Sequence, residues 1–288
     1  MSLQPQFLDP RLIDASDGVR LAIFDRPGHG TGPTVLFAHA TGFCAAVWGP
    51  MATSVSAGRH LALDFRSHGR SSDPIDGDLA WEGVARDVRS CLTASDVTGP
   101  VVGVGHSMGG AALLLTEAAH PGTFSSIWAY EPIVIDPAHR SAHDNGGVLS
   151  AGAARRRPSF PDRETARSNF ASKPPLSDFA AASLEAYLDG GFMTSDDGSL
   201  HLLCRRESEA RFYEMGAVHR GWDQLPEITC PARIVRGNAD LPGPAWFGPA
   251  VAQRLPHGEL GQFDHLGHMG PMQAPAELAA DLNSWLAR

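Results

Sequence analysis

Apolar positions change rhythm along the chain. From Arg11 to Asp25 apolar and polar residues alternate on either side of Ser16-Asp17-Gly18, a turn signal that predicts a hairpin of strands over residues 11–15 and 19–25. After Pro33 the apolar residues come in short, unbroken, β-rich runs at 34–38, 60–63 and 101–104, the pattern of strands covered on both faces. Helical spacing follows each run, at residues 45–57, 81–94 and 108–120, the last ended by Pro121-Gly122. Strands and helices in alternation predict a parallel sheet with right-handed crossovers.

A further strand at 124–130 ends in Glu131-Pro132, and there the repeat breaks. Residues 133–226 are rich in Ala, Arg, Ser, Asp and Pro, with helical patches near 165–171 and 179–188. The strand rhythm returns at 232–236 and 258–263, followed by a closing helix at 276–286. An insertion of this length leaving the carboxyl edge of a sheet reads as a lid. The expected organisation is therefore an α/β core of residues 1–132 and 227–288, with a helical cap over 133–226.

Composition narrows the functions. Of the 288 residues 43% are hydrophobic, enough for a large core, and no apolar run approaches the ~20 residues of a membrane span. The first ten residues have neither a basic nor an apolar stretch, so no secretory signal is expected. A net charge of −9 without a basic stripe argues against nucleic acid. Cys44, Cys91, Cys204 and Cys230 match no zinc or disulfide spacing, which suits reduced thiols and a cytoplasmic location. The one basic run is Arg155-Arg156-Arg157, expected to be solvated or paired within the cap, with an anionic substrate group as the alternative. Oligomeric state is not legible.

The strongest chemical signal is Gly105-His106-Ser107-Met108-Gly109-Gly110, a G-x-S-x-G run between a predicted strand and a predicted helix. A sharp strand-to-helix turn lifts the Ser107 hydroxyl clear of the sheet, and small residues on either side leave room for that backbone. A serine hydroxyl needs a base, and the base needs an orienting carboxylate. His268 and Asp240 lie beyond the last two predicted strands, at the same sheet edge as Ser107, and so are expected as base and acid. His265 competes for the first role. Glu131 competes for the second, although its place beside Pro132 before the cap fits a pocket-lining role better. Oxyanion donors are expected at the backbone N–H groups of Met108 and Thr41, the latter in His39-Ala40-Thr41-Gly42-Phe43. Phe43, Trp48 and Glu131 are the substrate-binding candidates. His39 and His106 are expected to brace the fold, and Asp64 and Arg66 to tie the 64–71 turn to neighbouring loops.

Taken in order, the 39–48 loop, the 64–71 turn, the 105–110 elbow, Asp240 and the 267–275 segment resemble the α/β-hydrolase superfamily over nearly the whole chain. Ala40 stands where lipase-like members carry glycine. The resemblance implies a mostly parallel sheet flanked by helices, a Ser-His-Asp hydrolase with a cap, and no metal or organic cofactor. It points to cleavage of a small-molecule carboxylic ester, as in esterases, lipases and lactonases. Carbon–carbon bond hydrolases, cofactor-free haloperoxidases and non-catalytic ligand receptors of the same fold are the alternatives. Serine at the elbow counts against the members that carry aspartate there.

Overall fold

The computed structural model describes residues 7–142, 145–216, 218–241 and 243–288. In chain order the strands are β1 (Arg11–Asp14), β2 (Arg20–Pro27), β3 (Thr34–Ala38), β4 (Arg59–Asp64), β5 (Val101–His106), β6 (Ser126–Tyr130), β7 (Ser159–Phe160), β8 (Phe192–Thr194), β9 (Leu200–Leu202), β10 (Ala232–Arg236) and β11 (Gly258–Gln262). Eight of them form one sheet in the order β1-β2-β4-β3-β5-β6-β10-β11. The β1–β2 and β2–β4 pairs are antiparallel, and every pair from β4 to β11 is parallel. The α/β-hydrolase architecture expected from the sequence is thus present.

The helices are α1 (Gly49–Ala52), α2 (Trp81–Ala94), α3 (Met108–Ala119), α4 (Asn145–Ala154), α5 (Arg163–Ala171), α6 (Ala181–Gly190), α7 (Arg206–Gly216), α8 (Gly221–Gln224), α9 (Gly248–Arg254), α10 (Gly270–Gln273) and α11 (Pro275–Leu286). The unbroken apolar runs are explained by two core layers, because successive side chains of a strand point to opposite faces. In β3, Val35 and Phe37 join Trp48, Trp128 and Trp285 on one face, while Leu36 and Ala38 join Val84, Leu113 and Ile234 on the other.

Two expectations are corrected. The helix expected over 45–57 is a 3₁₀ turn, Ala45–Trp48, followed by the single turn of α1. Pro50 is the cause: it has no N–H for the carbonyl four residues back, and its ring would collide with that carbonyl in a continuous helix. The insertion is also not wholly helical, since β7, β9 and β8 form a small antiparallel sheet within it. Its last stretch packs on the main core instead: Leu225 is fully buried in the layer that contains α3.

Within the core, Arg66 and Asp87 are both fully buried and joined by three hydrogen bonds, from the Arg66 backbone N–H, Nε and Nη2, with Nη1 donating to Asp17. Asp64 accepts from the backbone N–H groups of Ala45 and Arg70 at 2.7 and 2.8 Å. Asp64 thus fastens the 64–71 turn to the 39–48 loop, and Arg66 fastens it to α2 and to the turn at Asp17, the tying role expected of both residues.

Candidate active site

Ser107 caps the N-terminus of α3 directly after β5, with φ 55° and ψ −115°, a region that non-glycine residues seldom occupy. The strain is held by its backbone N–H, which donates to Tyr130 O at 3.0 Å, and its carbonyl, which accepts from Ala111 and Ile133. A Cβ on Gly109 would lie 2.1 Å from Ala38 O, and one on Gly105 would lie 2.6 Å from Gly110 Cα. The elbow therefore closes only with glycine at those two positions.

The Ser107 hydroxyl donates to His268 Nε2 at 3.2 Å. On the far side of the ring, His268 Nδ1–H donates to Glu131 Oε2 at 2.6 Å. Glu131 is 1% exposed and follows β6 with φ 43°; its backbone N–H donates to Val235 O, and its second oxygen accepts from Gly237 N–H at 2.7 Å. The segment holding His268 is pinned twice more, by Tyr130 Oη donating to Gly267 O at 2.7 Å and His106 Nε2–H donating to His268 O at 2.8 Å. Burial and the neighbouring Glu131 push the Tyr130 phenol upward, and burial and His268 push the His106 imidazole down, so both stay neutral.

The expectation that Asp240 orients His268 is corrected. Asp240 is exposed, its backbone N–H closing a turn on Asn238 Oδ1, and the imidazole's Nδ1 is already occupied by Glu131. The segment that carries Asp240 contributes a different residue: Gly237 comes so close that a Cβ there would lie 2.4 Å from Leu266 O and 2.7 Å from Tyr130 Oη. Its amide can therefore reach Glu131. The signal that could have favoured Glu131 is the carboxylate at the very end of a wholly apolar strand, Ile127 to Tyr130. His265 is also set aside, since its Nε2 pairs with Glu277 at the surface.

Thr41 and Met108 are brought together, with the Thr41 hydroxyl 3.3 Å from Met108 Sδ. Met108 is the first residue of α3, so its N–H has no intrahelical acceptor. The Thr41 loop turns at Gly42 with φ 79° and is braced by two histidines. His39 Nε2 accepts from Phe65 N–H while its Nδ1–H donates to Ala40 O, and His68 Nε2 accepts from Gly42 N–H while its Nδ1–H donates to Arg66 O. Burial holds both rings neutral, His68 with its pKa lowered to about 4. Phe43 sits under the insertion between Phe179 and Tyr187, with ring centroids 5.9 and 5.3 Å away. Trp48 is a correction: it is 1% exposed, packs on Phe37, and belongs to the core rather than to a substrate pocket. Glu131, expected from the sequence among the substrate-binding residues, instead faces the imidazole. Among the described residues no group of three His, Cys, Asp or Glu side chains is arranged to hold a metal ion.

A parallel sheet with a strained serine elbow and a histidine at its carboxyl edge defines a hydrolase class, and the alpha/beta hydrolase family model matches residues 35–281. The chain belongs to that family. It is 37% identical over 94 residues to protein phosphatase methylesterase 1 of Rattus norvegicus, a match covering 31% of this chain and only 24% of that relative. It is 20% identical over 258 residues to (E)-2-((N-methylformamido)methylene)succinate hydrolase of Acinetobacter baylyi, covering 89% of this chain and 91% of the relative. The crystal structure of E-2-(acetamidomethylene)succinate hydrolase superposes with a TM-score of 0.79 at 21% identity, over 97% of this chain and 99% of that one. Likeness at that identity concerns the fold.

Proposed function

We propose that the protein is a serine hydrolase that cleaves a small-molecule carboxylic ester through an acyl-enzyme on Ser107. One observation carries the reading: the relay from Ser107 Oγ through His268 to Glu131, at 3.2 and 2.6 Å. Ser107 Oγ attacks the ester carbonyl as its proton passes to His268 Nε2, and the imidazolium returns that proton to the leaving alkoxide. Water, deprotonated by the same ring, then releases the acid and restores the serine. Glu131 fixes the tautomer and stabilises the imidazolium, a contribution of ~10⁴ in rate where the equivalent carboxylate was replaced in another triad enzyme. The amides of Met108 and Thr41 stabilise the oxyanion, each removal of such a donor costing about 2.7–4 kcal/mol.

No metal or organic cofactor enters this sequence. The methylesterase similarity favours an ester, whereas one curated relative and one solved structure that each span nearly the whole chain are named for amidomethylene succinates, so an amide-like or carbon–carbon bond acted on by the same residues is the second reading. Four buried free thiols suit a reducing compartment, the cytoplasm. No helix among the described residues is long and apolar enough to cross a membrane.

The test combines fluorophosphonate labelling with turnover of p-nitrophenyl esters of rising chain length beside enamide and diketone substrates. Labelling that disappears in Ser107→Ala, with ester turnover in the parent, supports the reading. Ester turnover that survives Ser107→Ala at the parent rate overturns it.

A further inference from the structure

The insertion contains a cavity of about 440 Å³ whose wall is strongly basic. Arg155, Arg156 and Arg157 reach it from the segment after α4, and Lys173 from just beyond α5, while Phe160 and Phe170 supply its apolar surface. No carboxylate is among the described residues that line it. Four cations meet there in a chain whose net charge is −9 and which has only one lysine. Like charges gathered around a concave surface raise the local anion concentration and oppose folding unless an anion answers them.

The cations are set for contact rather than dispersed. The Arg157 guanidinium lies 4.7 Å over the Phe160 ring with its Nε donating to Ser159 O, and Lys173 Nζ donates to Asn169 Oδ1 at 3.0 Å. Among the described residues neither is paired with a carboxylate. Arg156 differs: it is held by Glu209 and by the Tyr187 hydroxyl, both outside the cavity lining. Its Nη1 comes within 3.4 Å of where a Cβ on Gly42 would stand, so one side chain borders both the cavity and the Thr41 loop. Phe170 packs on Tyr187, and Tyr187 on Phe43, so packed aromatic side chains link the cavity to the loop that carries Thr41.

We propose that this cavity receives the anionic end of the substrate, a carboxylate or a phosphate, while the scissile carbonyl lies at Ser107. The inference rests on the serine-hydrolase reading for what the anion is attached to. Guanidinium forks suit planar oxyanions, and a charge-assisted hydrogen bond discriminates more strongly than a neutral one. Arg155, Arg157 and Lys173 then supply specificity, and Arg156 fixes the wall between anion and oxyanion loop.

The test compares p-nitrophenyl hemisuccinate with p-nitrophenyl butyrate, as a ratio of kcat/KM, in the full chain. The parent is expected to prefer the hemisuccinate, and Arg155→Gln/Arg157→Gln to lower that preference about tenfold or more, chiefly through KM, as loss of one charge-assisted contact implies. Arg211→Gln, on the exposed face of α7, should leave the ratio as it is. Succinate and inorganic phosphate, titrated calorimetrically into the Ser107→Ala protein, distinguish the two anion chemistries, and either one binding more weakly to the cavity variant supports the site. A ratio near one in the parent, a preference that survives the double replacement, or binding of neither anion overturns it. A parent protein that does not label with fluorophosphonate but still binds the anion would instead remove the Ser107 reading and leave the anion site standing.

Discussion

Glu131 Oε2 stands 2.6 Å from His268 Nδ1, although 137 positions separate the two residues in the chain. The carboxylate leaves the sheet at the end of β6, next to the strand that carries the serine, and the imidazole comes to it from beyond β11. Amide replacement separates this arrangement from the alternative. Glu131→Gln should lower kcat for p-nitrophenyl butyrate by about 10³–10⁴, the scale seen when a triad acid becomes an amide. Asp240→Asn, an exposed change, should stay within about twofold of the parent, as surface substitutions do. Equal losses, or the reverse ranking, would return the acid to the loop after β10.

The elbow makes a stability prediction of its own. Gly109→Ala would place a methyl group 2.1 Å from Ala38 O, and both sides of that contact are fixed backbone. The cost should lie at or above the top of the ~1–3 kcal/mol range of overpacking changes. Gly152→Ala, in α4 with nothing within 4 Å, should stabilise the protein by about 0.5–1 kcal/mol, because alanine loses less backbone freedom in a helix. Urea midpoints at constant m-value measure both.

Stability should rise with pH between about 4 and 6.5. Burial lowers the imidazoles of His60 and His68 to about 4 and holds those of His39 and His106 well below the usual imidazole value. The unfolded chain then binds more protons than the folded one in this window, so acid removes stability, by roughly 3 kcal/mol for each of His60 and His68. Asp64 and Asp87 act in the opposite sense: burial raises both, Asp64 to about 6, so their contribution falls as pH rises through the carboxylate range, by roughly 3 kcal/mol for Asp64. Four histidines outweigh two carboxylates. Denaturation midpoints at pH 4.5 and 7 should show the parent weaker at the lower value, and a parent stronger at pH 4.5 would contradict the assignment.

Ion pairs should divide by burial. Asp87→Ala leaves the Arg66 guanidinium, 0% exposed, without its two-bonded partner and should cost about 3–5 kcal/mol. Asp25→Ala breaks the Arg59 pair, whose side chains are 30% and 40% exposed, and should cost less than about 1 kcal/mol. Chemical denaturation of the two variants side by side provides the comparison.

Much of the fold was legible in the chain because its signals are local. Strand-length apolar runs predicted β3 to β6, the return of the strand rhythm predicted β10 and β11, and the hairpin turn at Ser16-Asp17-Gly18 predicted β1 and β2. The glycines around Ser107 predicted the elbow for a steric reason that depends only on near neighbours and the adjacent strand. Less legible were α1, where Pro50 interrupts a helical pattern, and the β7-β9-β8 sheet, whose strands of two or three residues have no measurable period.

The sequence by itself determined that Ser107 sits on a strained turn at a sheet edge and that a histidine follows the last strand, since backbone sterics and strand order settle both. Two acids remained eligible, because each leaves the same edge and sequence spacing does not say where a loop goes after it leaves. Tertiary structure made the choice. Gly237 lets the loop after β10 approach closely enough to donate to Glu131, the same loop turns Asp240 out to solvent at Asn238, and the Val235 carbonyl holds Glu131 at a positive φ facing the ring. The direction of a buried carboxylate is a property of the groups packed around it, and those groups come from strands more than a hundred residues apart in the chain.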